Sequence, residues 1–285
     1  MVDAALSGLP SGAAYALLGV AVVLLYRMAG VLNFAIAVFG AFGAFVMVSL
    51  FERGLPFGLA IVVGVLVGLT LSAAMGGVMA ALFPDTDSIT RSVVTIGMAI
   101  SLFAVAFRIF GDRPRSFPPL FPSVSYSLSG VSLKLSGLVA LGLAAALALL
   151  IWVFLRNTRI GVQVSAMAAR STTAELLGIP VRSYTVAIWA LAGAIATMAP
   201  ILAAPTRQAD FTSLGLLVVP ALAAALLGSF HSLGLTVVAG LGIGVLEAMA
   251  VRWPTVSTWR TTLPFFVILA VLLWRQRGEV WDEAR

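Results

Sequence analysis

The chain has no cysteine, a single histidine and few charges, and each shortage removes a class of function. Without Cys there is no disulfide framework, no thiolate metal site and no thiol nucleophile. His231 alone cannot assemble a His-rich metal site. Charged residues are 10% of the chain, where soluble domains carry about 25%. There is no Gly-x4-Gly-Lys-Ser/Thr phosphate loop, no acidic cluster for Mg²⁺ and no Ser/His pair at membrane depth. These gaps argue against a membrane-embedded enzyme, which stays the least favoured of the alternatives. No catalytic residue, metal ligand or cofactor is therefore assigned to this chain.

What is present is apolar. Hydrophobic residues make up 61% and mean hydropathy is +1.11, against roughly 45–50% apolar residues in soluble domains. Uncharged stretches run over 4–26, 28–51, 54–84, 92–107, 135–155, 183–206, 211–246 and 261–274. A bilayer crossing needs about 20 residues, so most stretches hold one span each. The 211–246 stretch would be about 54 Å long as one helix, too long for a single crossing. GSFHSLG at 228–234 is its natural break. The expectation is an all-α polytopic membrane protein of eight to nine transmembrane helices, some broken, forming a single membrane domain over 1–285. The segment 112–133 contains Pro114, Pro118, Pro119 and Pro122 and reads as an external loop. MVDAALSGLP lacks the basic start of a cleavable signal. The net charge of +6 sits as single Lys or Arg residues at the ends of apolar runs. There they anchor to headgroups, which points to a lipid bilayer and to no nucleic-acid partner.

One polar island interrupts this pattern. Residues 156–183 carry Arg156, Arg159, Arg170 and Arg182 against a single acid, Glu175. A basic loop between spans belongs on the cytoplasmic side, although the overall tally of Lys and Arg on the two sides is nearly even. Val164, Met167, Ala168, Leu176 and Leu177 can share one helical face, with Gly178 as the stop. An amphipathic helix held outside the bilayer reads as a contact for a partner.

Within the spans ionisable groups are scarce; only Arg108 and Glu247 lie near predicted ends. Ion-coupled carriers hold charged or His residues at depth, so a pump built on this chain draws its energy from elsewhere. Gly8-x3-Gly12, Gly64-x3-Gly68 and Gly240-x3-Gly244 allow helix backbones to approach closely, either within the chain or against a second membrane subunit. Asn33 sits in an apolar run just after Gly30, and its amide needs a partner: a structural hydrogen bond or a solute. Tyr15 has the same two readings, core or path, and Glu247 either pairs structurally or touches solute.

Three blocks of the sequence together resemble a family. GLPSGAAYALLGVAVVLLYRMAGVLNFAIAVFGAFGAF (8–45) carries Tyr15, Asn33, Phe34, Gly43 and Phe45 in a Gly-x3-Gly-x2-Tyr-Ala-Leu opening and an Asn-Phe-Ala motif. TRIGVQVSAMAARSTTAELLGI (158–179) ends in Ala174, Leu176, Leu177, Gly178 and Ile179. AAALLGSFHSLGLTVVAGLGIGVLE (223–247) closes on Gly244 and Glu247. In that order they are similar to the permease subunits of ABC importers for branched-chain amino acids and related small solutes. The resemblance implies an ABC importer permease fold in the bacterial cytoplasmic (inner) membrane. It implies a second homologous permease, two cytoplasmic ATPase subunits that bind ATP and Mg, and an external solute-binding protein. It makes 156–183 the coupling element, with Arg159, Gly161, Arg170, Ala174, Glu175, Leu176, Leu177 and Gly178 facing the ATPase. Tyr15, Asn33, Phe34 and Glu247 are its candidates for the substrate path. The alternative from a different class is a secondary carrier or channel for a small polar solute.

Overall fold

Leu9–Ala29 is apolar nearly all round and lies inside the bundle. In the computed structural model, which describes residues 2–83, 86–119, 125–128, 131–206, 209–252, 257, 259 and 262–279, this helix is the axis of the molecule. The elements in chain order are α1 (Val2–Ser7), α2 (Leu9–Ala29), α3 (Ile36–Glu52), α4 (Phe57–Leu82) and α5 (Ser88–Phe110). A hairpin, β1 (Ser125–Leu128) and β2 (Val131–Lys134), precedes α6 (Leu135–Asn157), α7 (Arg159–Ala169), α8 (Ser171–Leu176) and α9 (Val181–Ala203). Then come α10 (Phe211–Gly215), α11 (Val218–Leu227), α12 (Leu233–Ala250) and α13 (Leu263–Glu279). Helices α6, α9, α11 and α12 surround α2, and α3 and α4 pack on α9.

Glycine spacing decides which helices touch. The buried residues of α4 are Ala60, Gly64, Gly68, Ser72, Gly76 and Met79, a narrow stripe that recurs about every turn. A Cβ on Gly64 would stand 2.7 Å from Gly43 O of α3, and one on Gly76 would stand 2.5 Å from the Trp189 ring of α9. Ser72 Oγ donates to Trp189 O at 2.6 Å across the same seam. Gly8 and Gly12 face Gly244 and Leu241 of α12, and a Cβ on Gly240 would come 2.6 Å from Ala16 N. All three Gly-x3-Gly faces are thus spent within the chain, which corrects the alternative that they meet a second subunit.

The span count also changes. Among the described residues five helices are long and apolar enough to cross a bilayer, or six if Leu141–Asn157 and Arg159–Ala169, bent by 84°, are one span. Ile36–Glu52, Phe211–Leu227 and Leu263–Trp274 are apolar but shorter, so the described residues hold fewer full-length spans than the expected eight to nine. Two of the expected runs are interrupted by turns that carry no charge. The 28–51 run loses its start to an irregular segment at 30–35. The 211–246 run is broken at the expected place: α11 stops at Leu227 and α12 begins at Leu233. Ser229 and Phe230 are left-handed there (φ 55 and 56), held by Phe230 N donating to Ala225 O at 2.8 Å. His231 lies in this turn, and Arg27 donates to its carbonyl at 3.1 Å.

The bundle has two distinct ends. One gathers the C-terminus of α2, the start of α5, the 228–232 turn and the α7–α8 arm. The other gathers the C-termini of α3 and α5 with 111–119 and Ala209. There Arg115 donates to Glu52 at 2.9 Å and to Ser49 at 2.8 Å, and its backbone bridges Ala209. Phe45, Phe103, Phe110 and fully buried Phe211 form an aromatic cluster beneath, with ring centroids 5.3–5.5 Å apart for Phe45–Phe211, Phe45–Phe110 and Phe103–Phe211. Of the expected external loop 112–133, residues 120–124 and 129–130 lie outside the described residues. Its later part is the β1–β2 hairpin, paired antiparallel from Ser125↔Lys134 to Leu128↔Val131, which composition does not reveal.

Candidate functional site: the α7–α8 arm and the α2–α3 break

The arm leaves the bundle by a sharp bend. The axis turns by 84° between α6 and α7, at Thr158, whose hydroxyl caps α7 by accepting from Gly161 N at 3.0 Å. Gly161 is buried against the backbone of Phe154 and Leu155, and a Cβ there would collide with the Leu155 carbonyl. That contact explains the glycine. Val164 and Met167 of α7 are buried, and Tyr184 of α9 donates to the Gln163 amide, so the arm is fixed to the bundle.

The single amphipathic face expected over 156–183 is not what forms. Arg170 is extended (φ −152, ψ 101) and splits the segment into α7 and the one-and-a-half-turn α8. Ala168 is exposed, and Leu176 and Leu177 do not share the buried side of Val164 and Met167. Ala174 alone anchors α8, at 1% exposure, while Leu176 is 85% and Leu177 75% exposed. Gly178 stops the helix as expected: it is left-handed (φ 79), its N–H donates to Glu175 O at 2.9 Å, and Ile179 N donates to Ala174 O at 3.0 Å. That pair of bonds is a Schellman stop. Arg159, Arg170 and Glu175 are exposed, with no ion pair to any of them among the described residues. The arm therefore presents two adjacent leucines, rimmed by charge, on a short helix with a fixed base.

The four path candidates do not form one site. Tyr15 is buried, and its hydroxyl donates to Glu247 Oε2 at 2.6 Å, joining α2 to α12. Asn33 and Phe34 lie beyond the other end of α2, about 20 Å along the axis from Tyr15 at about 1.5 Å per residue. Asn33 is fully buried. Its Oδ1 accepts from Ala35 N at 2.8 Å, turning the chain into α3, while its Nδ2 has no acceptor. Phe34 is half-buried, and its N–H donates to Thr95 Oγ1 at 3.0 Å.

The groups that hold this break come from α5, and the sequence reading missed them. Ser88 donates to Gly30 O at 2.6 Å, and Ser92 accepts from Leu32 N at 3.2 Å. The signal was available: Ser88, Ser92 and Thr95 share one helical face in a span that is otherwise mainly apolar. Asp87 caps α5, and its bonds to the Thr90 hydroxyl and the Thr90 and Ile89 amides hold its carboxyl below the usual range. The opposite side of α5 is exposed, and none of the described residues beyond its own helix backbone lies within 4 Å of a Cβ on Gly97. Asn33→Ala leaves Ala35 N without its acceptor in a buried turn, so we expect destabilisation of about 1–3 kcal/mol. An unchanged unfolding midpoint of the purified variant would contradict this.

Comparison with known proteins gives the family of the chain. The model of the family described as branched-chain amino acid transport system / permease component matches residues 4–272. The inner membrane ABC transporter permease protein YjfF of Escherichia coli (strain K12) is 28% identical over 226 residues, covering 74% of this chain and 65% of that protein. The chain thus spans just under two thirds of YjfF. The high-affinity branched-chain amino acid transport system permease protein LivH of the same organism is 25% identical, covering 94% of this chain and 91% of LivH. Among solved structures, PsaBC from Streptococcus pneumoniae in complex with Fab is similar at a TM-score of 0.49 and 17% identity, covering 94% of this chain and 89% of that one. The chain is a multi-pass protein of the inner membrane, and by the family match it belongs to the branched-chain amino acid transport permease family, whose members are ABC transporter permease subunits.

Proposed function

We propose that this subunit forms the translocation path of an ATP-driven importer for branched-chain amino acids or a related small solute, with the α7–α8 arm as its cytoplasmic coupling element. The carrying observation is the exposed Leu176–Leu177 pair on a helix anchored through Ala174 and stopped at Gly178. An apolar pair at a bundle end, set on a rigid base, fits a hydrophobic groove on a soluble partner. In this reading the partner is one of two ATPase subunits, which bind ATP and Mg, while this chain performs no bond chemistry. An external solute-binding protein delivers the solute at the opposite end, where Arg115, Glu52 and the hairpin lie.

A second permease subunit completes the path along α5. Only Thr95, Ala99, Leu102 and Ala106 of that helix are buried. Its exposed side sets Gly97, Ser101 and Ala104 among Val93, Ile96, Ile100 and Val105, an apolar face whose small residues admit the close approach of a partner helix. Asn33, buried beside α5 with an unmatched N–H, meets solute in this reading only when the broken helix opens, so that the contact is held at a break instead of at a charged residue. Phe34 adjoins it. Tyr15 and Glu247 then act at a distance from that contact, through the α2–α12 pairing.

The test is uptake by the reconstituted complex. ATP-dependent accumulation of leucine, isoleucine or valine, or of an amide or urea in the same panel, is expected only with the matching binding protein and ATPase present. Solute flux through the chain alone, without ATP, would replace this reading by a carrier or channel.

A further inference from the structure

At the α8 end a cleft of about 550 Å³ opens between the α7–α8 arm and the ends of α2, α4, α5 and α9. That volume lies within the range of about 300–1,000 Å³ typical of small-molecule sites. Three guanidinium groups line it from three separate places: Arg91 of α5, Arg170 at the α7–α8 corner and Arg182 of α9. Glu175 is the one carboxylate among the lining residues, which leaves two positive charges in excess. None of these four side chains is in an ion pair among the described residues. Of these, Arg91 has its Nε without an acceptor among the described residues. Arg91 is otherwise held only by a long 3.5 Å bond to Ala29 O. Met79 and Phe83 of the α4 end give the same cleft an apolar wall.

Three arginines around one cleft, with a single carboxylate among them, make a positive site that an anion would neutralise. A phosphate monoester carries about −1.5 to −2 charge and several strong acceptor oxygens, and guanidinium forks match its geometry. We propose that this cleft binds a phosphate-bearing ligand, its anionic group held by Arg91, Arg170 and Arg182 and its body resting on Met79 and Phe83. The ligand is either a soluble organophosphate or an anionic phospholipid whose headgroup enters the cleft. Because Arg170 and Arg182 flank α8 while Arg91 belongs to α5, occupancy ties the arm to the bundle and opposes its movement. On the reading of the arm as the coupling element, the site regulates it; the cleft adjoins the α2–α3 break through Gly30 and Val31.

The thermal unfolding midpoint of the purified full chain tests this, read in detergent as inorganic phosphate replaces chloride at constant ionic strength. In a second arm the chain is placed in nanodiscs of phosphatidylcholine, with or without phosphatidic acid. A saturable rise is expected in at least one arm. Arg182→Gln and Arg170→Gln, both at exposed side chains, should each weaken the apparent affinity at least tenfold, and Arg91→Lys should retain more of it than Arg91→Gln. Arg113→Gln, at the opposite end, should behave as the parent. A response to inorganic phosphate identifies the soluble source, and one confined to phosphatidic acid identifies the lipid. No rise in either arm, or a rise of equal size in Arg170→Gln and Arg182→Gln, overturns the proposal.

Discussion

Leu177→Asp is expected to abolish ATP-driven uptake while leaving the permease itself folded and inserted. The side chain is three-quarters exposed in the chain, so a carboxylate there meets water and disturbs no internal packing. In the proposed ATPase groove the same carboxylate would be desolvated without a partner, at roughly 2–5 kcal/mol. At about 1.4 kcal/mol per tenfold, affinity for the ATPase falls by at least about tenfold, and co-purification is lost. The permease alone should show an unchanged unfolding midpoint, which separates coupling from folding. Ala174→Asp is the contrasting case, because Ala174 is the buried anchor of α8 and its replacement should loosen the arm itself. If Leu177→Asp still binds the ATPase and still drives uptake, α8 is not the coupling element.

Gly240→Val and Gly242→Val, two residues apart on α12, are expected to differ sharply. A Cβ on Gly240 would lie 2.6 Å from Ala16 N and 2.7 Å from Ala16 Cα on α2, so backbone must move to admit it. A Cβ on Gly242 meets nothing within 4 Å. Both substitutions change helix propensity equally, so the difference isolates the α2–α12 seam. Overpacking of this kind costs about 1–3 kcal/mol, and more where backbone faces backbone as here. The readout is the fraction of monodisperse protein after a heat challenge, with Gly240→Val strongly reduced and Gly242→Val near the parent. Because Tyr15 pairs with Glu247 across the same seam, Gly240→Val should also weaken that hydrogen bond. Equal behaviour of the two variants would show that the close approach contributes nothing to stability.

Class, membrane placement and the stop at Gly178 could all be read from the sequence, because each follows from a local rule. Long uncharged runs permit little besides helices in a bilayer, and a glycine after Leu176–Leu177 is where a left-handed residue ends a helix without steric cost. The break at 228–234 was legible for the same reason. Other features were decided only when distant segments met. The double-glycine faces gave no sign of whether they were internal, since a small residue packs equally well against its own chain or another. The 30–35 break became a defined structure through Ser88, Ser92 and Thr95, hydroxyls some sixty residues away in sequence. Arg170 split the arm into two helices, and so turned Leu176 and Leu177 outward, because the bundle holds α7 by Val164 and Met167 but α8 by Ala174 alone. Periodicity fixes which residues of one helix share a face. Which faces are then covered depends on the close approach of other helices, and that is a property of the packed bundle.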